Sequence, residues 1–221
     1  NQFALHFRDG HLFVEIDGDL WLLDTGAPSS FGAGGDLVIL GEPVQLDAGY
    51  LGLNAEKLSE FTGVSCAGLL GADALGRFDH IFDVAGGSLA ISAGELSHEG
   101  REVVVSEFMG IPMVSARIAH DEYRMFFDTG AQVSYLQEDS LGEWPAAGSV
   151  SDFYPGVGRF ETDTHHVPVS LDGIEFTLRC GTLPGLLGMT LVMAGAHGII
   201  GNQILTNRVV GYFPRRRLLV L

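Results

Sequence analysis

Lysine is nearly missing from this chain of 221 residues. Lys57 is the only one, and lysine and arginine together number 12 against 28 aspartates and glutamates. The formal net charge of −16 excludes a nucleic-acid partner, because binding a phosphate backbone needs a basic footprint. Cysteine is scarce too: Cys66 and Cys180 are the only two, and nothing around them has metal-ligand spacing. There is no HExxH, and His165-His166 lacks a partner at ligand distance, so the pair reads as surface and neither metal nor cofactor is expected. Ser65 and Cys66 sit among glycines in "GVSCAG", but without a nucleophile elbow or an adjacent base.

Long apolar runs are also few. The one exception, residues 184–201, goes eighteen residues without Asp, Glu, Lys or Arg, which borders on the length of a membrane span. It carries five glycines, a proline and a histidine, and reads as buried core, so no membrane span is expected. An acidic, almost lysine-free chain that starts at Asn1 is expected to be a processed form working outside the cytoplasm, periplasmic or secreted.

What the chain does have is glycine, 31 residues against 8 prolines, set among short Val/Ile/Leu/Phe runs. That mixture favours many strands joined by tight turns, an all-β fold. It also has an internal repeat. "LLDTGAPSSFG" at 22–32 returns as "FFDTGAQVSYL" at 126–136, with Ser30 and Ser134 each six residues past an aspartate. Further on, "GLLGADALGRFDHIFDVAGGSLAI" (68–91) aligns without a gap onto "GIIGNQILTNRVVGYFPRRRLLVL" (198–221).

Each half therefore runs in the same order: a hairpin, the DTGA turn, an intermediate stretch, an apolar-apolar-Gly strand, a short helical turn and two closing strands. The alternation in "FVEID" and "VSARI" marks half-buried strands. "NAEKLSEFTG" (54–63) predicts a short helix with Asn54 as N-cap and Gly63 at its C-terminal end. The halves divide into residues 1–100 and 101–221, linked by a polar segment within 93–108. A second "GLLG" at 185–188 reads as a strand and turn, and Arg215-Arg216-Arg217 as a solvated turn.

One Asp-Thr-Gly is expected by chance in about one chain in thirty of this length. Two copies in matched context are far rarer. A lone aspartate after an apolar strand is usually a turn or cap residue. Two related by a pseudo-twofold axis can meet, and paired carboxylates cannot both stay ionised; they share a proton. One can then act as base on a water and the other as acid toward a carbonyl oxygen. Gly26 and Gly130 would let each backbone turn sharply and aim amide N–H groups at its carboxylate. Thr25 and Thr129 can bond across the axis.

Paired DTGA turns, each followed by GLLG or GIIG and a short helix, resemble the aspartic proteases, in particular two retroviral-protease-type subunits fused into a small, bilobal, pepsin-like chain. The resemblance implies an endopeptidase that hydrolyses peptide bonds of peptides or unfolded proteins as a monomer without cofactor, with Asp24 and Asp128 as the catalytic pair. Thr25, Gly26, Ser30, Thr129, Gly130 and Ser134 would support their loops. A peptide-binding or scaffold module without turnover on the same fold is the alternative. The halves differ in length: 47 residues separate Asp24 from Gly71, but 73 separate Asp128 from Gly201. The excess of 26 suits a hairpin flap within 148–173, with Phe153 or Tyr154 as its aromatic, donated by the second half where pepsins carry theirs on the first.

Overall fold

The computed structural model describes residues 1–35, 37–137 and 139–221. The chain is mostly β, with 50% of it in strands and 14% in helix. Strands β1 (Gln2–Arg8), β2 (His11–Ile16) and β3 (Asp19–Leu23) form an antiparallel meander. Its tight turns take left-handed backbone at Asp9-Gly10 and Asp17-Gly18. Short strands β4 (Phe31–Gly32), β5 (Leu37–Ile39) and β6 (Glu42–Val44) lead to helix α1 (Ala55–Thr62). The helix has the expected ends: the Asn54 side chain accepts from Lys57 N–H at 2.9 Å, and Gly63 turns left-handed at φ 69°. Strand β7 (Gly68–Leu70), a single turn of helix α2 (Ala72–Leu75), and strands β8 (Asp79–Asp83) and β9 (Ser88–Ser92) complete the first half.

The segment 93–108 contains two short strands, β10 (Glu102–Val104) and β11 (Ser106–Phe108), so only part of it is a plain link. The second half repeats the plan. A hairpin of β12 (Ile111–Ile118) and β13 (Asp121–Phe127) is followed by β14 (Ser134–Leu136). Three long antiparallel strands come next: β15 (Ala146–Tyr154), β16 (Gly158–Leu171) and β17 (Ile174–Gly181). Helix α3 (Gly185–Met193), β18 (Gly198–Ile200), β19 (Val210–Phe213) and β20 (Leu218–Val220) close the chain.

Ten strands form one sheet in the order β10-β20-β19-β8-β9-β1-β2-β3-β7-β4. Eight form another, β11-β12-β13-β18-β14-β17-β16-β15. The closing strands of the second half therefore belong to the first half's sheet, where β19 pairs with β8 (Val210 opposite Phe82). One buried apolar cluster runs across both halves, from Leu5 and Phe82 to Phe127, Tyr212 and Leu221. Burying that seam removes apolar surface from water for both halves at once, which couples their folding.

Three expectations need correction. Gly185–Gly188 begins helix α3 and is not a strand and turn; Pro184 starts it, and the leucines and methionines that follow are good helix formers. Nor is residues 184–201 all core. Met189, Val192 and Met193 stand exposed on α3, while Gly198–Ile200 are buried. No described helix is long and apolar enough to cross a membrane. Finally, the arginine turn is not simply solvated. Arg215 and Arg216 both pair with the fully buried Asp79, at 3.0 and 2.7 Å. Burial pushes the Asp79 pKa up, but Leu96 N–H and the two guanidiniums outweigh it and hold the carboxyl below its ordinary value. The clamp fixes the start of the interhalf segment, with the Ala93, Gly94 and Leu96 carbonyls also accepting from these arginines.

Candidate active site

The two DTGA turns are built alike because the strands around them are alike. Strand β3 buries Leu22 and Leu23 and lies parallel to β7, so that Asp24 N–H donates to the Leu70 carbonyl at 3.0 Å. Strand β13 buries Phe126 and Phe127 beside β18, and Asp128 N–H donates to the Ile200 carbonyl at 2.9 Å. Each apolar-apolar-Gly strand thus carries its aspartate to the same depth. Ser30 Oγ accepts from Gly71 N–H at 2.9 Å, and Ser134 Oγ accepts from Gly201 N–H at 3.0 Å, which ties each turn to the following helical turn. Ser30 Oγ also donates to Asp73 at 2.6 Å.

The turns meet through their threonines. Thr25 N–H donates to Thr129 Oγ1 at 3.1 Å, and Thr129 N–H donates to Thr25 Oγ1 at 3.0 Å. Each hydroxyl then donates across the junction, Thr25 to the Phe127 carbonyl (2.6 Å) and Thr129 to the Leu23 carbonyl (2.9 Å). Both side chains are buried, so all four bonds are made away from water.

This lock sets Asp24 and Asp128 side by side in one cavity, each carboxyl against the glycine of the other turn. Asp24 Oδ1 accepts from Gly26 and Ala27 N–H at 3.0 and 2.9 Å, and Asp128 Oδ1 accepts from Gly130 and Ala131 N–H at 2.9 and 3.3 Å. Glycine is required at both turns by close approach. A Cβ on Gly26 would fall 2.3 Å from Asp128 Oδ2, and one on Gly130 would fall 2.5 Å from Asp24 Cγ. The two carboxyls open onto a cleft yet sit among protein atoms at its floor. Desolvation, with the Asp128 charge behind it, raises the Asp24 pKa well above the ordinary carboxyl value; desolvation raises that of Asp128 too. The pair therefore holds one proton where an isolated carboxyl would have lost it.

The surplus of the second half is a long hairpin, β15 and β16, whose tip lies at 155–157. Tyr154 lines the cleft near the aspartates: burial and then their charges raise its hydroxyl pKa. Phe153 also borders the cleft and packs against the first half, its ring tilted on Phe61 at 5.2 Å and on His11 at 5.6 Å. Arg159 fastens the hairpin there, donating to the Glu60 carbonyl at 2.8 Å with its guanidinium over Phe61. The cleft has about 1330 Å³ of space, its solvent mouth included, and apart from the carboxyls its walls are chiefly apolar.

Three residues at the site were not anticipated. Asp152 is buried near the tip of the hairpin, lines the cleft, and accepts from Tyr135 Oη and from Phe153 N–H. Tyr135 follows the Asp128 turn on β14, so this bond ties hairpin to turn. His11 lies 3.2 Å from the Gly130 carbonyl through Nδ1, and since a carbonyl only accepts, Nδ1 carries the proton. Burial lowers the His11 pKa from its ordinary value, outweighing nearby Asp152, the bond to Gly130 and Asp128, which raise it. Asp152 and His11 lie outside the repeated motifs, and Tyr135 stands in one where the first half has Phe31, with nothing local to mark it as a partner of Asp152; only the fold assembles them. Tyr135→Phe is expected to cost about 1–3 kcal/mol in urea unfolding, because it strips a donor from a buried carboxylate. A change within about 0.5 kcal/mol would mean the bond carries no such load.

Cys66 and Cys180 are free. His165 Nδ1 lies 2.9 Å from the Trp144 carbonyl, and among the described residues no three His, Cys, Asp or Glu side chains group as metal ligands. No protein-family model matches the chain, and no curated protein matches it significantly.

Proposed function

We propose that this protein is an aspartic endopeptidase with two pepsin-like lobes, each lobe supplying one DTGA turn to a cleft between them. The observation that carries the reading is the reciprocal threonine lock, with Asp24 and Asp128 set side by side in one cavity, each against the glycine of the other's turn. A buried pair of like-charged groups costs stability, and a protein that only needs to bind has no reason to keep one. With one shared proton, the ionised carboxylate takes a proton from a water as its oxygen attacks the peptide carbonyl carbon. The protonated carboxyl gives its proton to the carbonyl oxygen. Collapse of the resulting gem-diol passes a proton to the departing nitrogen and restores the starting state. Thr25, Gly26, Thr129 and Gly130 hold the geometry. The β15–β16 hairpin serves as the flap, with Tyr154 facing the aspartates.

The direct test is incubation with a denatured protein mixture from pH 3 to 7, with and without pepstatin, followed by mass spectrometry of the fragments. New termini that vanish with pepstatin are expected; peptide capture without cleavage would favour the binding-module alternative. The rate should follow a bell in pH. Its acid limb falls as both carboxyls become protonated, and its upper limb falls as the shared proton is lost. Because burial raises both pKa values, the upper limb should lie above the ordinary carboxyl range. A rate still climbing at pH 9 would contradict the mechanism.

A further inference from the structure

The repeat continues beyond the two turns into a helix and a hairpin tip of each half, where the two copies differ in kind. Helix α3 begins 130 residues after α1, the same offset that relates Gly71 to Gly201. The outward face of α1 is polar, with Glu56, Lys57 and Glu60 exposed. That of α3 is apolar: Met189, Val192 and Met193 are 66%, 74% and 84% exposed. The hairpin tips ahead of the two DTGA turns differ in the same way. Asp9-Gly10 and Met109-Gly110 share the same left-handed turn, φ 47° and 81° against 52° and 82°. Asp9 is charged, whereas Met109 is 82% exposed beside a part-exposed Phe108.

Both apolar elements border the cavity of the aspartates. Phe108 and Met109 line it from the hairpin tip, and Leu187 and Leu191 line it from α3. They share a footing, since Phe108 packs on Phe126 at 6.5 Å and Phe126 belongs to the apolar cluster of Leu187 and Leu191. The flap is fastened to α1 through Arg159 and Phe153, and although its Val150, Tyr154 and Phe160 pack on the cluster of Leu187 and Leu191, it leaves Met189, Val192 and Met193 of α3 exposed. In a chain with net charge −16, all charge is withheld from residues 184–201. Exposed apolar surface of this extent is costly unless something uses it, and methionine side chains adapt to varied apolar partners.

Resting on the protease reading, we infer that α3 and the Phe108-Met109 tip form an extended apolar subsite for the substrate chain itself. It selects polypeptides whose apolar stretch continues several residues beyond the cleaved bond. Continuity with the aspartate cavity names this occupant, because a chain lying across the dyad and leaving on this side must run over α3.

The test uses quenched fluorescent peptides built around one cleavage sequence taken from the digest, extended at either end by four leucines and valines or by four serines and glutamines. The apolar extension at one end is expected to raise kcat/KM about tenfold over the polar one, chiefly through KM. The doubly substituted Val192→Asp, Met193→Asp protein should bring that ratio near one, and both positions are exposed enough to accept the change without unfolding. Equal ratios in the unsubstituted protein, or a ratio untouched by the substitutions, overturn the inference while leaving the protease reading standing. If nothing is cleaved, the protease reading fails, and fluorescence anisotropy with labelled peptides made only of leucines and valines or only of serines and glutamines still decides whether the face takes an apolar chain: preferential binding of the apolar peptide, lost on the Val192→Asp, Met193→Asp substitution, supports it, and equal binding overturns it. Sedimentation showing a dimer that the substitutions dissociate would assign the face to a second copy. Co-sedimentation with phosphatidylcholine vesicles, lost on substitution, would assign it to lipid. Either result overturns the substrate assignment.

Discussion

Replacing Asp24 or Asp128 by asparagine is expected to cut peptide-bond cleavage by at least about 10³-fold, within what positioned acid–base groups contribute. Either change alone should suffice, because the mechanism needs one ionised and one protonated oxygen within a single pair. Asparagine keeps an oxygen to accept from Gly26 and Ala27 N–H, or from Gly130 and Ala131 N–H, so the turns should survive. Circular dichroism should therefore match the unsubstituted protein while turnover of a pepstatin-sensitive peptide disappears. Near-normal turnover in either variant would end the dyad mechanism.

The same variants carry a stability signature of opposite sign. The folded-state pKa of the dyad is raised, so the folded protein binds its proton more tightly than the unfolded chain does. Stability from that proton is fully present below the unfolded carboxyl pKa and is lost as pH rises through the window up to the folded value. An asparagine does not titrate. Asp24→Asn should consequently gain stability relative to the unsubstituted protein from about pH 4 upward, where unfolded carboxyls have ionised. Urea midpoints measured at pH 4 and pH 7 check this, and a difference that shrinks toward neutrality would contradict burial of the pair.

Thr25→Val should have the largest effect on the fold. Valine matches threonine in shape but leaves two buried groups without partners, the Thr129 N–H and the Phe127 carbonyl. Each orphan costs about 1–3 kcal/mol, so a loss of roughly 2–6 kcal/mol is expected, a large part of a typical domain's 5–15 kcal/mol. Thr25→Ser keeps the hydroxyl and should lose far less. Cleavage should drop further than the unfolded fraction explains, because the lock sets the spacing of the carboxyls. A valine variant as stable as the serine one would show that the lock contributes little.

Much of this site was legible in the chain because it is written twice. Asp24, Thr25, Gly26 and Ser30 repeat as Asp128, Thr129, Gly130 and Ser134, each set after a buried strand, and local physics makes both copies turn alike. Helix α1 was legible for a similar reason, since Asn54 and Gly63 cap it through neighbouring backbone groups. Where the reading strayed, the deciding partner was distant. Gly185–Gly188 reads as readily as strand as it does as helix, and its apolar content hid that half of α3 faces out. The arginines at 215–217 seemed merely solvated, since Asp79 lies far back in the chain. Asp152 and His11 lie outside the repeat and Tyr135 stands where the first half has Phe31; the three come together around the Asp128 turn only when β15, β14 and β2 converge.

The sequence by itself determined the strand-rich character, the duplication, the two aspartate turns and the extra hairpin of the second half. Each depends on neighbours a few residues away, or on direct comparison of one half with the other. Only the tertiary structure decided that the two carboxyls meet at the floor of one cleft, that the last strands complete the first sheet, and that the exposed face of α3 is apolar where that of α1 is charged. Those outcomes depend on contacts across a hundred residues or more, where side-chain packing and burial choose the partner.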